Sequence, residues 1–363
     1  MKKSTLLKVG GILIVVSVIT VILIATGIIS IPKPSRGPQQ NDMVIDAKTR
    51  TEVIQRLITE LNNYYVFPEK AKEMENAVLA KLQAGDYDDI TSAEELAATL
   101  TADIQAVTKD RHLDVAYSEA VIRSQEEQDS QTSTPEQLAR MQANNYGIKK
   151  VDHLPLNIGY LDLRSFAPTD LVAPKLAEAM TSLSGTESLI IDLRFNNGGE
   201  PKTVALLASY LFEERTRLND IYDRGTNKTE QYWTSEQVDG TKFGSTKKVY
   251  LLISDDTFSA AEDFAYALKN LKRATLIGKS TGGGAHPGTE RRLTDHFGSI
   301  VPTARSISPI TNTDWEGVGV IPDIEMNPDK ALLHAQMLIL QEMLAKETNQ
   351  AKRDQIQQEL DKL

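Results

Sequence analysis

Between residues 157 and 278, short apolar runs alternate with amphipathic helical patterns, and this alternation limits the possible folds more than any other feature of the chain. Each run is bounded by polar turn residues and is rich in aliphatic side chains, as buried strands are. Strands that alternate with helices form a largely parallel sheet with helices on its faces. The predicted strands cover residues 157–163, 188–193, 249–254 and 274–278, and the predicted helices cover residues 171–183, 204–211 and the segment after Ser259.

Ser259 lies where one of these strand patterns passes into a helical pattern. In open α/β sheets, ligands and catalytic groups gather at the carboxyl ends of the strands. The free N–H groups of a helix N-terminus also stabilise developing negative charge, so a serine at this position could act as a nucleophile. Ser259 and Glu262 are also spaced as a capping box, which begins many helices that have no catalytic role. Both interpretations stay open on this stretch alone.

Two glycine-rich stretches follow other predicted strands. Gly198 and Gly199 come directly after strand 188–193, and paired glycines allow the backbone to approach a ligand with its N–H groups exposed. The stretch from Thr281 to Pro287 follows the last strand, but it lacks the Gly-Lys-Ser/Thr order of a phosphate loop. His286 in this stretch is a candidate base, although its neighbour Pro287 also suits a rigid loop.

The first 32 residues predict a membrane anchor. Residues 9–32 carry no charge, and roughly 20 apolar residues are enough to cross a bilayer. No Ala-x-Ala-like cleavage site follows, and the lysines before the apolar stretch place the N-terminus in the cytoplasm. We therefore predict a signal anchor over residues 1–32, a Pro-rich linker over residues 33–45, and a single-pass cell-membrane protein whose catalytic domain is extracytoplasmic.

The remaining chain divides into four segments. Residues 46–115 contain helical patterns and predict a small helical bundle, which ends next to His112. A histidine at such a junction is more often a surface or hydrogen-bonding residue than a base. The other segments are a polar insert at residues 116–148, the α/β domain at residues 149–328 and a C-terminal helix at residues 329–363.

Composition excludes several classes of function. The formal net charge of −10, with no offsetting basic stripe, argues against a nucleic-acid partner. The chain has no cysteine, which excludes disulfides, thiolate metal sites and cysteine nucleophiles. Neither a metal nor a cofactor is therefore predicted.

Five stretches, in the same order, resemble the tail-specific (C-terminal processing) serine peptidases. Within that family they are similar to the branch of the tricorn protease core and the interphotoreceptor retinoid-binding protein repeats. The resemblance runs from about Asn63 to Asp323 and implies a ClpP/crotonase-like α/β fold, with a mostly parallel sheet and covering helices. This domain would follow the helical bundle and the single transmembrane helix predicted above. The five stretches are Gly159–Arg164, Asp192–Gly199, Thr257–Phe264, Gly282–Pro287 and Trp315–Asp323.

The resemblance implies a role for each candidate site residue. Ser259 would be the nucleophile, His112 the general base and Glu316 the acid that completes the relay. This division of roles suits acyl transfer, because a neutral imidazole takes the serine proton while a third group orients and stabilises it. The backbone N–H groups of Gly198 or Gly199, together with that of Ala260, would form the oxyanion hole.

The chain departs from the family in two ways. The processing peptidases proper use a serine–lysine dyad, but the matching lysine position is occupied here by Gly284. Lys279 lies nearby in sequence and matches a different family position, so it is the weaker alternative base. The polar insert is also too short to hold the PDZ domain that recognises substrate tails in the processing branch.

Two functional hypotheses follow. The first is a membrane-anchored serine peptidase that cleaves peptide or protein substrates through an acyl-enzyme. The second is a non-proteolytic protein that binds apolar ligands on the same fold, as the retinoid-binding relatives do, because fold does not fix function. The presence of Ser259, His112 and Glu316 together favours the first hypothesis.

Overall fold

Three helices begin the part of the chain that the computed structural model describes, residues 40–123 and 135–363. They are α1 (Ala47–Tyr64), α2 (Pro68–Ala84) and α3 (Ala93–Thr108). The cap residues at their N-termini are those that the sequence favours. The Ser92 side chain accepts the N–H of Glu95 at 3.0 Å at the start of α3, and Pro68 begins α2.

A six-stranded sheet forms the centre of the α/β segment, with strand order β12-β8-β7-β4-β3-β2. All neighbouring strands are parallel except β2 and β3, which form an antiparallel pair at one edge. The predicted strands are therefore present and largely parallel. The strands are β2 (Ile148–Leu154), β3 (Ile158–Leu163), β4 (Ser188–Asp192), β7 (Lys248–Ile253), β8 (Thr275–Gly278) and β12 (Ile324–Glu325).

Helices cover both faces of this sheet, and its central strands are unbroken apolar runs because both of their faces are buried. On one face, Leu189 and Ile191 pack in the same core as Leu251 and side chains of α5 (Thr169–Leu183), α6 (Pro201–Ser209) and α7 (Ala260–Asn270). On the other face, Ile190 and Leu252 share a core with α8 (Pro328–Lys346) and α9 (Gln350–Leu360). Successive residues of one strand thus point to opposite cores. The single C-terminal helix that the sequence predicts is in fact two helices.

Two small antiparallel sheets complete the fold. One joins β1 (Asp114–Tyr117), β10 (Phe297–Pro302) and β9 (Gly288–Arg292). The other joins β11 (Ala304–Ile307), β5 (Arg217–Asp223) and β6 (Lys228–Trp233), and its β5–β6 hairpin is absent from the sequence prediction. The remaining described α-helix is α4 (Pro135–Ala143), within the polar insert.

The helical bundle and the first small sheet share one core. Leu57 and Leu100 of the bundle are fully buried in the same cluster as Leu293, Phe297 and Val301. Because β1 pairs with β10, the chain that leaves α3 is held directly against the α/β segment. This pairing places His112, two residues before β1, beside residues that lie far away in sequence.

The fold-class prediction also placed a transmembrane helix before the bundle, and the structure corrects it. Within residues 40–123 and 135–363, no helix is both long and apolar enough to cross a membrane. The predicted span, residues 9–32, lies outside these ranges. The fold is therefore a mixed α/β fold with a helical bundle. The membrane contact and single-pass location that depended on the predicted span have no support in the structure.

Candidate active site

Ser259 has a strained backbone at the turn between β7 and α7. Its φ of 54° and ψ of −121° lie in a region that side-chain-bearing residues rarely occupy. A sharp strand-to-helix turn of this kind holds the nucleophilic serine above the sheet in α/β-hydrolases. The Ser259 N–H donates to Glu262 Oε2 at 2.9 Å, so the part of the predicted capping box that Glu262 supplies is present. Helix capping and backbone strain occur here at the same serine.

Glu262 connects this turn to the stretch from Thr281 to Pro287 that follows β8, called the glycine loop below. Its carboxylate is fully buried and also accepts hydrogen bonds from the Thr281 hydroxyl at 2.5 Å, the Gly283 N–H at 2.6 Å and the Gly284 N–H at 2.8 Å. Burial raises the pKa of Glu262 above its usual value, against the effect of these donors. Strain at Ser259 persists because the surrounding hydrogen bonds over-determine the turn.

The glycines after β4 lie against the same turn. A Cβ atom on Gly198 would approach Ser259 Cβ to 2.8 Å and Ala260 N to 2.9 Å, so only glycine fits. The Gly198 N–H already donates to Asn196 Oδ1 at 2.9 Å. The Gly198 N–H is therefore already engaged, which leaves the N–H groups of Gly199 and Ala260 as the candidates for an oxyanion hole.

His112 approaches this turn from the helical bundle. Its imidazole ring packs on the ring of Phe258, the residue before Ser259, with centroids 4.6 Å apart and planes tilted by 36°. Its Nδ1 atom is buried and makes no hydrogen bond within the described part of the chain. Burial lowers the pKa of His112 to about 4, which keeps the imidazole neutral near pH 7. A neutral imidazole is the form that a general base requires.

Glu316 lies on the far side of the glycine loop and faces the same cluster. Its Oε2 atom accepts the Ala285 N–H at 2.5 Å, whereas its Oε1 atom is buried without a hydrogen-bond partner among the described residues. Burial and the nearby Asp110 carboxylate raise the pKa of Glu316 to about 7. One oxygen or nitrogen atom from each of Asp110, His112 and Glu316 can be chosen so that all three lie within 4.8 Å of one another.

The same three side chains are the described group that could hold a metal ion. In a tetrahedral zinc site, however, bonds of about 2.1 Å place neighbouring ligand atoms about 3.4 Å apart. A separation of up to 4.8 Å would have to shrink before these atoms could bind zinc together. A proton relay would also need these groups to move closer, because His112 Nδ1 and Glu316 Oε1 make no hydrogen bond among the described residues.

The site has no room for the lysine of a serine–lysine dyad. A Cβ atom on Gly284 would lie 2.3 Å from Cζ of Phe258 and 2.7 Å from Cε1 of His112. The His112–Phe258 pair therefore occupies the space into which a longer side chain at position 284 would extend. Lys279, the alternative base, forms an exposed ion pair with Asp255 at 2.8 Å, and this hydrogen bond raises its pKa.

Asp110 is the member of the site that the sequence analysis did not select. It is fully buried, and its Oδ1 atom accepts the backbone N–H of His112 at 3.0 Å. An aspartate that accepts the N–H two residues later is a recurrent turn pattern. The Asp-Arg-His order could have indicated such a turn, but nothing local indicates the partners of its second oxygen. His286, considered above as a base, is one of those partners.

Two family models match consecutive parts of the chain. Residues 157–326 match the model described as peptidase family S41, and residues 43–154 match the N-terminal domain of peptidase S41 in eukaryotic IRBP. The two matches run through the bundle and the α/β segment in the order that the sequence resemblance implies.

Curated relatives are similar over about half of this chain. A chloroplastic C-terminal processing peptidase of Tetradesmus obliquus is 29% identical over 172 residues, which cover 47% of this chain and 36% of the relative. The carboxy-terminal processing protease CtpA of Bacillus subtilis is 28% identical over 182 residues, 49% of this chain and 37% of the relative. This chain thus matches only about a third of the length of these relatives.

A solved structure shares the fold over most of the chain. Mature CPAF, solved in complex with lactacystin, superposes with a TM-score of 0.56 at 13% identity, over 78% of this chain and 96% of that chain. At this identity the likeness concerns the fold alone.

Proposed function

Because this chain belongs to peptidase family S41, we propose that it is a serine peptidase that cleaves peptide bonds through an acyl-enzyme on Ser259. The observation that carries the proposal is the strained turn at Ser259, with Phe258 packed on the partly buried imidazole of His112. The proposed substrates are peptides or proteins. The alternative of apolar-ligand binding gains no support from this arrangement of buried polar groups.

In the proposed acylation step, Ser259 Oγ attacks the carbonyl carbon of the scissile bond while His112 takes the hydroxyl proton. The carbonyl oxygen becomes an oxyanion, which the N–H groups of Gly199 and Ala260 would bind. When the tetrahedral intermediate collapses, the C–N bond breaks and the leaving amine takes the proton from the His112 imidazolium. Water then attacks the ester, with His112 again acting as base, and releases the acid product and free Ser259.

Glu316 would stabilise the His112 imidazolium that forms in each half of this cycle. The unpartnered Oε1 of Glu316 and the unpartnered Nδ1 of His112 are both buried, and such atoms need partners. A carboxylate beside the base fixes the imidazole orientation and offsets its positive charge. The proposed relay therefore consists of Ser259, His112 and Glu316.

Labelling with a fluorophosphonate probe tests the nucleophile. The probe should modify residues 42–363 at Ser259, and Ser259→Ala should lose both labelling and peptide cleavage. Ser182→Ala is a matched control, because the Ser182 hydroxyl also contacts a histidine, His153 Nε2 at 3.2 Å, but at an exposed site without a strained turn. Labelling that persists in Ser259→Ala, or is lost only in Ser182→Ala, would overturn the assignment.

A further inference from the structure

His286 is a second buried histidine behind the proposed relay, and three carboxylates face it. Its Nδ1 atom lies 2.8 Å from Asp110 Oδ2 and 3.4 Å from Glu316 Oε2, while its Nε2 atom lies 3.9 Å from Asp314 Oδ2. Phe67 packs edge-on against the ring, with centroids 5.3 Å apart. His286 is therefore not placed to reach Ser259 as a base, and its two nitrogens point at acidic partners.

The titratable groups that face this histidine are neutral or acidic, so the positive charge of the cluster falls on His286. Tyr65 donates its hydroxyl to Asp110 Oδ2 at 3.1 Å, and burial together with Asp110 raises the pKa of that phenol, so Tyr65 stays neutral. His112 is neutral for the reason given above. The guanidinium of Arg305 lies on the ring of Phe67, 5.7 Å from its centroid, and Phe67 in turn packs against His286.

Two buried carboxylates cannot both be ionised at close range unless a positive charge compensates them. Asp110 and Glu316 both approach the same His286 nitrogen, so an imidazolium there can compensate both. Burial alone would lower the pKa of His286, but Asp110, Glu316 and Asp314 together raise it above its ordinary value. The geometry and the charges agree on a protonated ring.

We propose that His286 is a positioning residue of the peptidase: an imidazolium between Asp110 and Glu316 that favours the ionised form of Glu316 and holds the Asp110 turn that places His112. This inference rests on the proposed function for its effect on catalysis. His286 acts through Asp110 and Glu316 and has no contact with the reacting atoms. It links position 286 to the base through a single intermediate residue, since Asp110 bonds His286 through Oδ2 and the His112 backbone through Oδ1.

Loss of the imidazolium should affect the chemical step and spare substrate binding. Without a positive charge at 286, Glu316 would hold its proton to higher pH, and a neutral carboxyl stabilises the His112 imidazolium less well. We therefore expect kcat to fall by about 10- to 100-fold, the size of effect typical of residues that orient a reacting group from behind. KM should change by less than about twofold, because an effect confined to the transition state appears in kcat.

His286→Asn tests the charge directly, because the asparagine amide can replace the Nδ1–H donor to Asp110 without carrying a charge. Its kcat should fall, and the acid limb of its pH–rate profile should move to higher pH by about one unit or more, the shift expected when a charge–charge interaction is removed. His153→Asn is the matched control at an exposed histidine. A uniform loss of kcat with an unmoved limb, or a parental profile, would overturn the proposal.

Two further measurements keep the test decisive. In a Glu316→Gln background, where no acid limb near pH 7 is expected, adding His286→Asn should not produce one, since the carboxyl that His286 acts on is gone. In Ser259→Ala, which has no chemistry, imidazole ¹⁵N NMR should show His286 protonated at pH 7.5 and His112 neutral. A neutral His286 in that spectrum refutes the inference whether or not the protein cleaves peptides. If His286 is protonated but the parent protein does not cleave peptides, only the proposed peptidase activity is refuted.

Discussion

At the scale of single residues, the two members of the proposed relay titrate in an unusual order. Burial lowers the pKa of His112 to about 4, whereas burial and Asp110 raise that of Glu316 to about 7. As pH rises, His112 therefore loses its proton first, and Glu316, the carboxylate proposed to support it, loses its proton at higher pH. The acid limb of activity should accordingly follow Glu316.

We predict an acid limb near pH 7 for the parent protein, with activity rising as Glu316 loses its proton. Glu316→Gln should reduce kcat by about 10²–10⁴-fold. It should also remove the limb near 7 and leave the residual rate flat down to the range where His112 takes a proton. The measurement is kcat against pH for both proteins. A limb near 7 that survives in Glu316→Gln would assign it to another group.

The contact between Gly198 and the serine turn gives a second prediction. Gly198→Ala places a Cβ atom against Ser259 and Ala260 at a φ of +102°, so the turn must shift. A displacement of about 1 Å at a reacting group costs about 10²-fold in rate, and kcat/KM should fall by that amount. Gly185→Ala is the control, because no heavy atom lies within 4 Å of its new Cβ. Equal activity in the two variants would exclude the tight contact as a catalytic requirement.

At the scale of elements, the glycine loop after β8 favours His112 over Lys279 as the proposed base. The loop brings Gly284 against His112 and Phe258, and it leaves Lys279 exposed beside Asp255. A lysine base needs a pKa lowered by burial, whereas the Asp255 pair raises that of Lys279.

Lys279→Ala should therefore keep activity within about twofold of the parent, as exposed substitutions away from reacting groups do. His112→Ala should lower kcat by orders of magnitude, since it removes the group that takes the serine proton. Steady-state kinetics on the two variants at pH 8 separates the alternatives. An inactive lysine variant beside an active histidine variant would reverse the assignment of the base.

The elements also show what local sequence patterns can and cannot predict. The strand at Ser188–Asp192 is predictable because every residue in it is buried and apolar runs of that length have few other uses. The β5–β6 hairpin escapes prediction because Lys228–Trp233 is polar and largely exposed, so no periodic pattern marks it. The sequence allows Ser259, Gly198 and Gly199 to be selected as candidates because each follows a predicted strand. Asp110 and His286 meet across 176 residues, and such a contact leaves no local signal.

At the scale of the whole molecule, the bundle and the α/β segment are parts of one unit. Residues 42–363 form a single compact body, and the bundle core includes Leu293, Phe297 and Val301 from the chain around β9 and β10. His112 and Ser259 therefore come from segments that stabilise each other.

Phe297→Ala should destabilise the protein by about 3–5 kcal/mol, as removal of a fully buried aromatic side chain does. Because the core is shared, far-UV circular dichroism and tryptophan fluorescence should report one coincident unfolding transition. Ile300→Ala on the same strand is the control, since Ile300 is 38% exposed and should cost far less. Two separated transitions in the parent protein would show that the bundle folds independently.

The pairing of β1 with β10 also fixes when the active site can exist during synthesis. Chains leave the ribosome from the N-terminus, so His112 emerges long before Phe297 to Pro302, the strand that holds it, and before Glu316. Until that strand appears, the apolar face of the bundle lacks the side chains that complete its core. Under the proposed function, a nascent chain carries His112 and later Ser259 without a working relay. The arrangement then delays peptidase activity until the chain has been translated beyond Glu316.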